Sequence, residues 1–120
     1  MQMQIFGNVV RGLAGALELH EERHRVISEN LANVETPGYR ARDLAFHDAL
    51  ENAFAGEGAS AARRAETVVD TSTPVKLDGN SVDLDLETTR LADNAFRMVA
   101  LSRILAKKYA GMKETIDGLK

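Results

Sequence analysis

Apolar residues recur at alternating steps of four and three positions at both ends of this 120-residue chain, and that double pattern restricts the fold more than any other feature. At the N-terminal end the stripe runs through Ile5, Val9, Leu13, Leu17, His20, His24, Ile27, Leu31 and Val34, the alternation holding from Leu13 onward and two histidines standing on it. At the C-terminal end they are Leu91, Ala95, Met98, Ser102, Leu105, Tyr109, Met112, Ile116 and Leu119. This is the spacing of a heptad seam, one helical stripe that meets another helix. A helix of about thirty residues rises roughly 45 Å, longer than a compact domain of this size is wide. The expected fold class is therefore mainly α, two long terminal helices pairing as a coiled-coil-like hairpin around a short extended, loop-rich middle. Leu13, Leu17, Ile27 and Leu31 are expected to meet Met98, Leu105, Tyr109, Met112 and Ile116, within one chain or between chains.

The breaks in periodicity divide the chain into 1–34, an N-terminal helix; 35–54, a turn and a short helix; 55–81, a flexible loop; and 82–120, a C-terminal helix. Pro37 lacks an N–H and pushes Thr36 out of helical backbone, so the first helix stops by about Val34. Pro37-Gly38 suits the middle of a type II turn. Residues 39–42 read as extended, and Asp43 as the cap of a helix carrying Leu44, His47, Leu50 and Phe54 on one side. Residues 55–73 mix Ala, Gly, Ser, Thr and charge without a period and predict a mobile loop in which only Val68 and Val69 offer anything to bury. Asp83 or Asp85 is expected to cap the last helix, with Glu87 at its positive end.

Hydrophobic residues make up 44% of the chain but aromatics only 5%, with no Trp. Much of the apolar share is Ala, so a thick core is hard to build. Phe96, Val99, Leu101 and Ile104 lie off the seam, so one partner helix cannot cover the second periodic segment, and self-association is expected. A net charge of −3 lacks the basic excess that phosphate backbones demand, which argues against nucleic acid. The absence of cysteine removes disulfides, thiolate nucleophiles and Cys-based zinc sites, and suits either a reducing cytosol or an exported protein without staples. The first ten residues lack a basic segment, a long apolar run and a small-residue cleavage site, so general secretion is not expected, and no run of about twenty apolar residues suggests membrane insertion.

One local match to catalytic chemistry exists. His20-Glu21-Glu22-Arg23-His24 satisfies H-E-x-x-H on a predicted helix, where two histidines one turn apart hold zinc and the Glu acts as base. Both histidines, however, lie on the same stripe as Leu17 and Ile27, no third ligand is identifiable beyond His47, and the reading as helix–helix contact residues is preferred. A zinc-dependent hydrolase on His20, Glu21 and His24 and a soluble helical adaptor that does not polymerise remain as alternatives. No catalytic set and no cofactor are assigned.

A more distinctive segment is Asn30-Leu31-Ala32-Asn33 followed by Thr36-Pro37-Gly38-Tyr39. The two amides can bond orphan carbonyls at the helix end or a neighbouring chain. The pair of motifs resembles the N-terminal signature of bacterial flagellar axial proteins, the rod, hook and hook-filament junction subunits. Asp78-Gly79-Asn80-Ser81-Val82-Asp83-Leu84-Asp85, Lys107-Lys108-Tyr109-Ala110-Gly111-Met112-Lys113, Arg40-Ala41-Arg42-Asp43 and Phe46 look like the proximal-rod members, and the match covers about 5–50 and 75–120. Ser28-Glu29 and Glu35 depart from the usual residues. The resemblance implies a non-enzymatic subunit of the periplasmic rod of the basal body that carries torque. It also implies partnership with itself, other rod proteins and the ring-rod junction protein, and passage through the flagellar type III export apparatus without a cleaved signal. On this resemblance Asn30, Leu31, Asn33, Thr36, Pro37, Gly38 and Tyr39 are assigned to contact with the next subunit.

Overall fold

A computed structural model of the chain describes residues 2–119. Helix α1 spans Gln2–Ala32 and helix α4 spans Leu84–Gly118, 31 and 35 residues long. Between them come strand β1 (Arg42–Leu44), helix α2 (Phe46–Asn52), a wide turn over Ala53–Glu57, helix α3 (Ser60–Arg64) and strand β2 (Thr67–Val69). The long helices run antiparallel: His20 of α1 meets Asn94 of α4, and Lys108 lies over the Phe6 ring at 5.9 Å. The molecule measures 67 × 22 × 17 Å, with a radius of gyration of 17.9 Å. A compact chain of this length would have about 14 Å.

Local chemistry sets the ends of the helices. After Ala32 the backbone turns, Tyr39 N–H closes the Thr36-Pro37-Gly38-Tyr39 turn on the Thr36 carbonyl at 3.2 Å, and Gly38 takes φ 77°, as a type II turn requires at its third position. Asp83 caps α4, its carboxylate accepting from Leu86 N–H at 3.1 Å, with Asp85 and Glu87 in the first turn.

The stripes differ from the expected seam in detail. Ile27 is buried, and Leu13, Leu17 and Leu31 are half-buried. On α4 the stripe passes through Leu91, Asn94, Met98, Leu101, Leu105 and Met112, so Ala95 and Ser102, expected on it, are exposed, and Leu101, expected off it, is half-buried on it. Asn94 takes the inward position because it hydrogen-bonds His20. Tyr109 and Ile116, expected in the seam, are each about half exposed. The antiparallel register explains both: residue 108 already faces residue 6, so α4 outruns its partner soon after.

The middle also departs from expectation. Residues 55–73 are not structureless; they carry a turn, a helix and a strand, and they form a third layer along α1. Its core is Leu19 with Ala49, Ala53 and Ala61, bordered by Phe46 and Leu50. These small side chains bury surface only by close approach, which α1 permits through Gly12 and Gly15. A Cβ on Gly15 would stand 2.5 Å from the Gly58 carbonyl oxygen, and one on Gly12 would stand 2.2 Å from the Phe54 ring. Gly56 at φ 122° lets the chain reverse there. Val68 and Val69, read as the buried part of this stretch, are exposed, because β2 pairs antiparallel with β1 at the edge, Asp43 opposite Val68. Asp43 caps no helix: α2 has no side-chain cap, and the Asp43 carboxylate holds Arg23 at 2.9 Å instead.

Candidate subunit interface

The asparagine and Thr-Pro-Gly-Tyr motifs form a clasp inside the chain. Asn30 is fully buried. Its Nδ2 donates to the Arg42 carbonyl at 2.8 Å, while its Oδ1 accepts from Arg42 N–H at 3.0 Å and from the Tyr39 hydroxyl at 2.9 Å. One amide thus grips the departing strand at two backbone points, as a neighbouring strand would. Asn33 donates to the Glu29 carbonyl at the helix end and accepts from the Thr36 hydroxyl.

A second turn, from Asp78 to Ser81, closes on the first. Asn80, also fully buried, donates to the carbonyls of Asn33 and Thr36, both at 2.8 Å. Gly38 N–H donates to the Asp78 carbonyl at 2.9 Å, and Ser81 N–H to the Tyr39 carbonyl at 3.0 Å. A Cβ on Gly79, which has φ 84°, would come within 3.2 Å of the Gly38 Cα. Glycine is needed on both counts.

Burial at the clasp shapes the charges beneath it. Glu87 is 1% exposed; Arg90 reaches one carboxylate oxygen at 3.2 Å, and the other has no hydrogen-bond partner among the described residues. Burial pushes its carboxyl above the usual range, with the Asn30 amide and Arg90 acting in the opposite sense. Arg90 also holds Asp70 at 2.7 Å. Burial of Asp70 acts against ionisation, but hydrogen bonds from Ser72 and Arg90 outweigh it and bring its pKa to about 2.

Farther along, His20 Nδ1 lies 2.7 Å from Asn94 Oδ1, while Asn94 Nδ2 donates to the His20 carbonyl at 2.7 Å. That second bond fixes the amide orientation, so Nδ1 carries the proton and donates. The ring also packs on Phe46, with 4.7 Å between centroids. Burial lowers the His20 pKa, and the bond to Asn94 partly offsets it. His20 is thus a helix–helix contact, with the nitrogen nearest α4 already engaged, while Glu21 points to solvent.

These positions correct part of the assigned contact set. Asn30 cannot touch another subunit in this conformation, because it is enclosed and its amide is already shared between Arg42 and Tyr39. Tyr39 and Leu31 are half-buried in the same clasp, and Thr36, Pro37 and Gly38 remain at the surface. Asn80, Glu87, Arg90 and Asn94 were missed as participants. Asn94 had a visible signal, since 91, 94 and 98 keep the three-and-four spacing as well as 91, 95 and 98 do.

Known proteins give this arrangement a family. The chain is 34% identical to the flagellar basal body rod protein FlgB of Cereibacter sphaeroides, over 88% of its own length and 91% of the relative's. It is 30% identical to FlgB of Salmonella typhimurium over 86% of this chain and 88% of that one, and 29% identical to FlgB of Bacillus subtilis over 97% and 98%. The chain belongs to the FlgB family. No protein-family model matches it.

In this FlgB-family chain, α4 leaves several large apolar side chains exposed along its length. Phe96 is 74% exposed, and Val99, Ile104, Tyr109 and Ile116 are each about half exposed. Phe96 and Val99 face away from α1, whereas Tyr109 and Ile116 continue the inward stripe where α1 ends. Among the described residues no helix is long and apolar enough to cross a membrane.

Proposed function

We propose that the chain is a structural subunit of the flagellar basal body rod, and specifically of its proximal part. It polymerises through its paired helices into a shaft that transmits torque across the periplasm. The observation that carries this is the two-sided apolar surface of α4: a single partner helix covers one stripe, and Phe96, Val99 and Ile104 stay uncovered until neighbouring subunits pack on them. Contacts that repeat without closing on themselves generate a helical assembly rather than a discrete oligomer. Family membership supports the same reading, since the relatives are named as basal body rod proteins.

The partners in this reading are further copies, other rod proteins and the ring-rod junction protein, reached after export by the flagellar type III apparatus without a cleaved signal. Thr36, Pro37 and Gly38, at the exposed tip of the clasp, remain candidates for contact with the next subunit. Deleting the gene should abolish swimming and leave basal bodies without a rod beyond the membrane ring. A plasmid copy should restore both, whereas a copy carrying Phe96→Asp and Val99→Asp should not. Intact rods in the deletion strain would refute the role.

A further inference from the structure

Among the described residues Glu87 is the only acid that the fold buries, and its surroundings compensate it poorly. It stands in the first turn of α4, with the Asn30 amide of α1 against it. The charged and titratable groups that face it are Arg90 on its own helix, Asp70 just after β2, Asp43 on β1 and Tyr39 in the turn. Arg23 neutralises Asp43 through two hydrogen bonds, at 3.1 and 2.9 Å. One cation, Arg90, is then left for two carboxylates. The same Arg90 nitrogen lies 2.7 Å from an Asp70 oxygen and 3.2 Å from a Glu87 oxygen. Asp70 also accepts from the Ser72 N–H at 2.9 Å and from its hydroxyl at 2.6 Å, whereas the second Glu87 oxygen is the one left unpartnered. With both acids ionised, the cluster holds one negative charge more than it balances, and the excess falls on the oxygen least able to carry it.

The same place is a joint between the long helices. Arg42 N–H donates to the Asn30 amide oxygen at 3.0 Å, Ala41 N–H to the Ser81 hydroxyl at 2.8 Å, and Val82 N–H to the Asn80 amide oxygen at 2.7 Å. Closing these bonds removes water from Glu87, and opening them restores it. Closure of the clasp and the charge on Glu87 are therefore linked.

We infer that Glu87 is a proton-operated latch on this joint: protonated, it lets the clasp close fully, and ionised, it favours opening, so the junction of α1 and α4 tightens in mild acid. Burial raises the Glu87 carboxyl above its ordinary 4.5, against the opposing pull of Asn30 and Arg90. The closed chain thus keeps a proton that the open chain releases. Its contribution is complete below 4.5 and is lost as pH climbs through the higher folded value. Asp70, which shares the same arginine, acts in the opposite sense at lower pH. His20, at the contact with Asn94, also opposes the latch, because burial disfavours its charged form. A comparison of wild type with a Glu87 variant cancels both.

The test is amide hydrogen exchange on the full chain in dilute solution between about pH 5 and 7, corrected for the intrinsic exchange rate and read at Ala41, Arg42, Ser81 and Val82. Relative to Glu87→Gln, which keeps the shape of the side chain and cannot ionise, the open population of wild type should grow by up to about tenfold per pH unit and then level off. At pH 7 the Glu87→Gln clasp should be several-fold less open than that of wild type. Carbon-13 NMR of the wild-type Glu87 carboxyl gives a second reading that needs no variant and decides the matter should Glu87→Gln fail to fold. Its midpoint should lie above the ordinary 4.5. A Glu87→Gln clasp as open as wild type at pH 7, the same pH trend in both chains, or a carboxyl that titrates at or below 4.5 would each overturn the inference. The rod-subunit reading does not enter this test and is judged by motility and basal bodies in the deletion strain.

Discussion

At the clasped end of the hairpin, directional bonds hold α1 to α4 and to the turns between them: His20 to Asn94, Asn30 to Arg42 and Tyr39, Asn80 to Asn33 and Thr36. At the open end the same two helices meet through half-covered side chains, with Ile5, Tyr109 and Ile116 largely in water and no third layer. The buried polar residues His20, Asn30, Asn80, Ser81, Glu87 and Asn94 all belong to the first region. Hydrogen bonds demand partners at fixed positions, and a chain can supply these to itself. Apolar surface demands only coverage, which any suitably shaped neighbour can provide. One region is complete in the monomer, and the other is arranged for company.

The largest test of this contrast is Asn30→Ala. It leaves Arg42 and Tyr39 without their partner in a closed site and should cost about 3 kcal/mol in denaturant unfolding. Asn33→Ala, at the half-buried margin, should cost about 1 kcal/mol or less. Equal losses would mean that burial at the clasp carries no special weight.

The second comparison uses glycines on the two helices. Gly15→Ala forces a methyl against the Gly58 backbone, which cannot swing aside, and should cost about 2 kcal/mol. Gly111→Ala meets nothing within 4 Å and should stabilise by up to about 1 kcal/mol through helix propensity alone. A destabilising Gly111→Ala would show the open end to be packed after all.

The smallest effect is in acid. Asp70 has a folded pKa of about 2 against an ordinary value of 3.8. Between those values the unfolded chain binds a proton that the folded chain refuses, so stability falls as pH drops through this window. Asp70→Asn should flatten that limb of the stability curve by up to one proton's slope and leave the profile above pH 5 unchanged in shape. An unaltered slope below pH 4 would mean that Arg90 and Ser72 do not hold the carboxylate in solution.

The long helices were legible because their packing is periodic: Leu13, Ile27, Met98 and Leu105 recur at helical spacing whatever they touch. The third layer was not, because Ala53, Ala61 and Gly58 pack by fitting against Gly12 and Gly15. Such a fit has no period and little hydrophobic signal. The signature around Asn30 was equally plain in the sequence, but its target was not, since its partners are the Arg42 backbone and the Tyr39 hydroxyl rather than another charged or apolar residue. Asn94 shows a further limit, because a polar residue on an apolar stripe reads as a miss until the opposing histidine is known.

The third layer also leaves the body tapered: from Arg11 to Asn30 three tiers overlie one another, and toward the free tips only a pair of rods remains. Staves of that form, stood side by side with like ends level, crowd at the broad end and gape at the slender one. Closing the gap tilts each against its neighbour, so the bulk contributed by a run of alanines and glycines would help set the curvature of any wall they build.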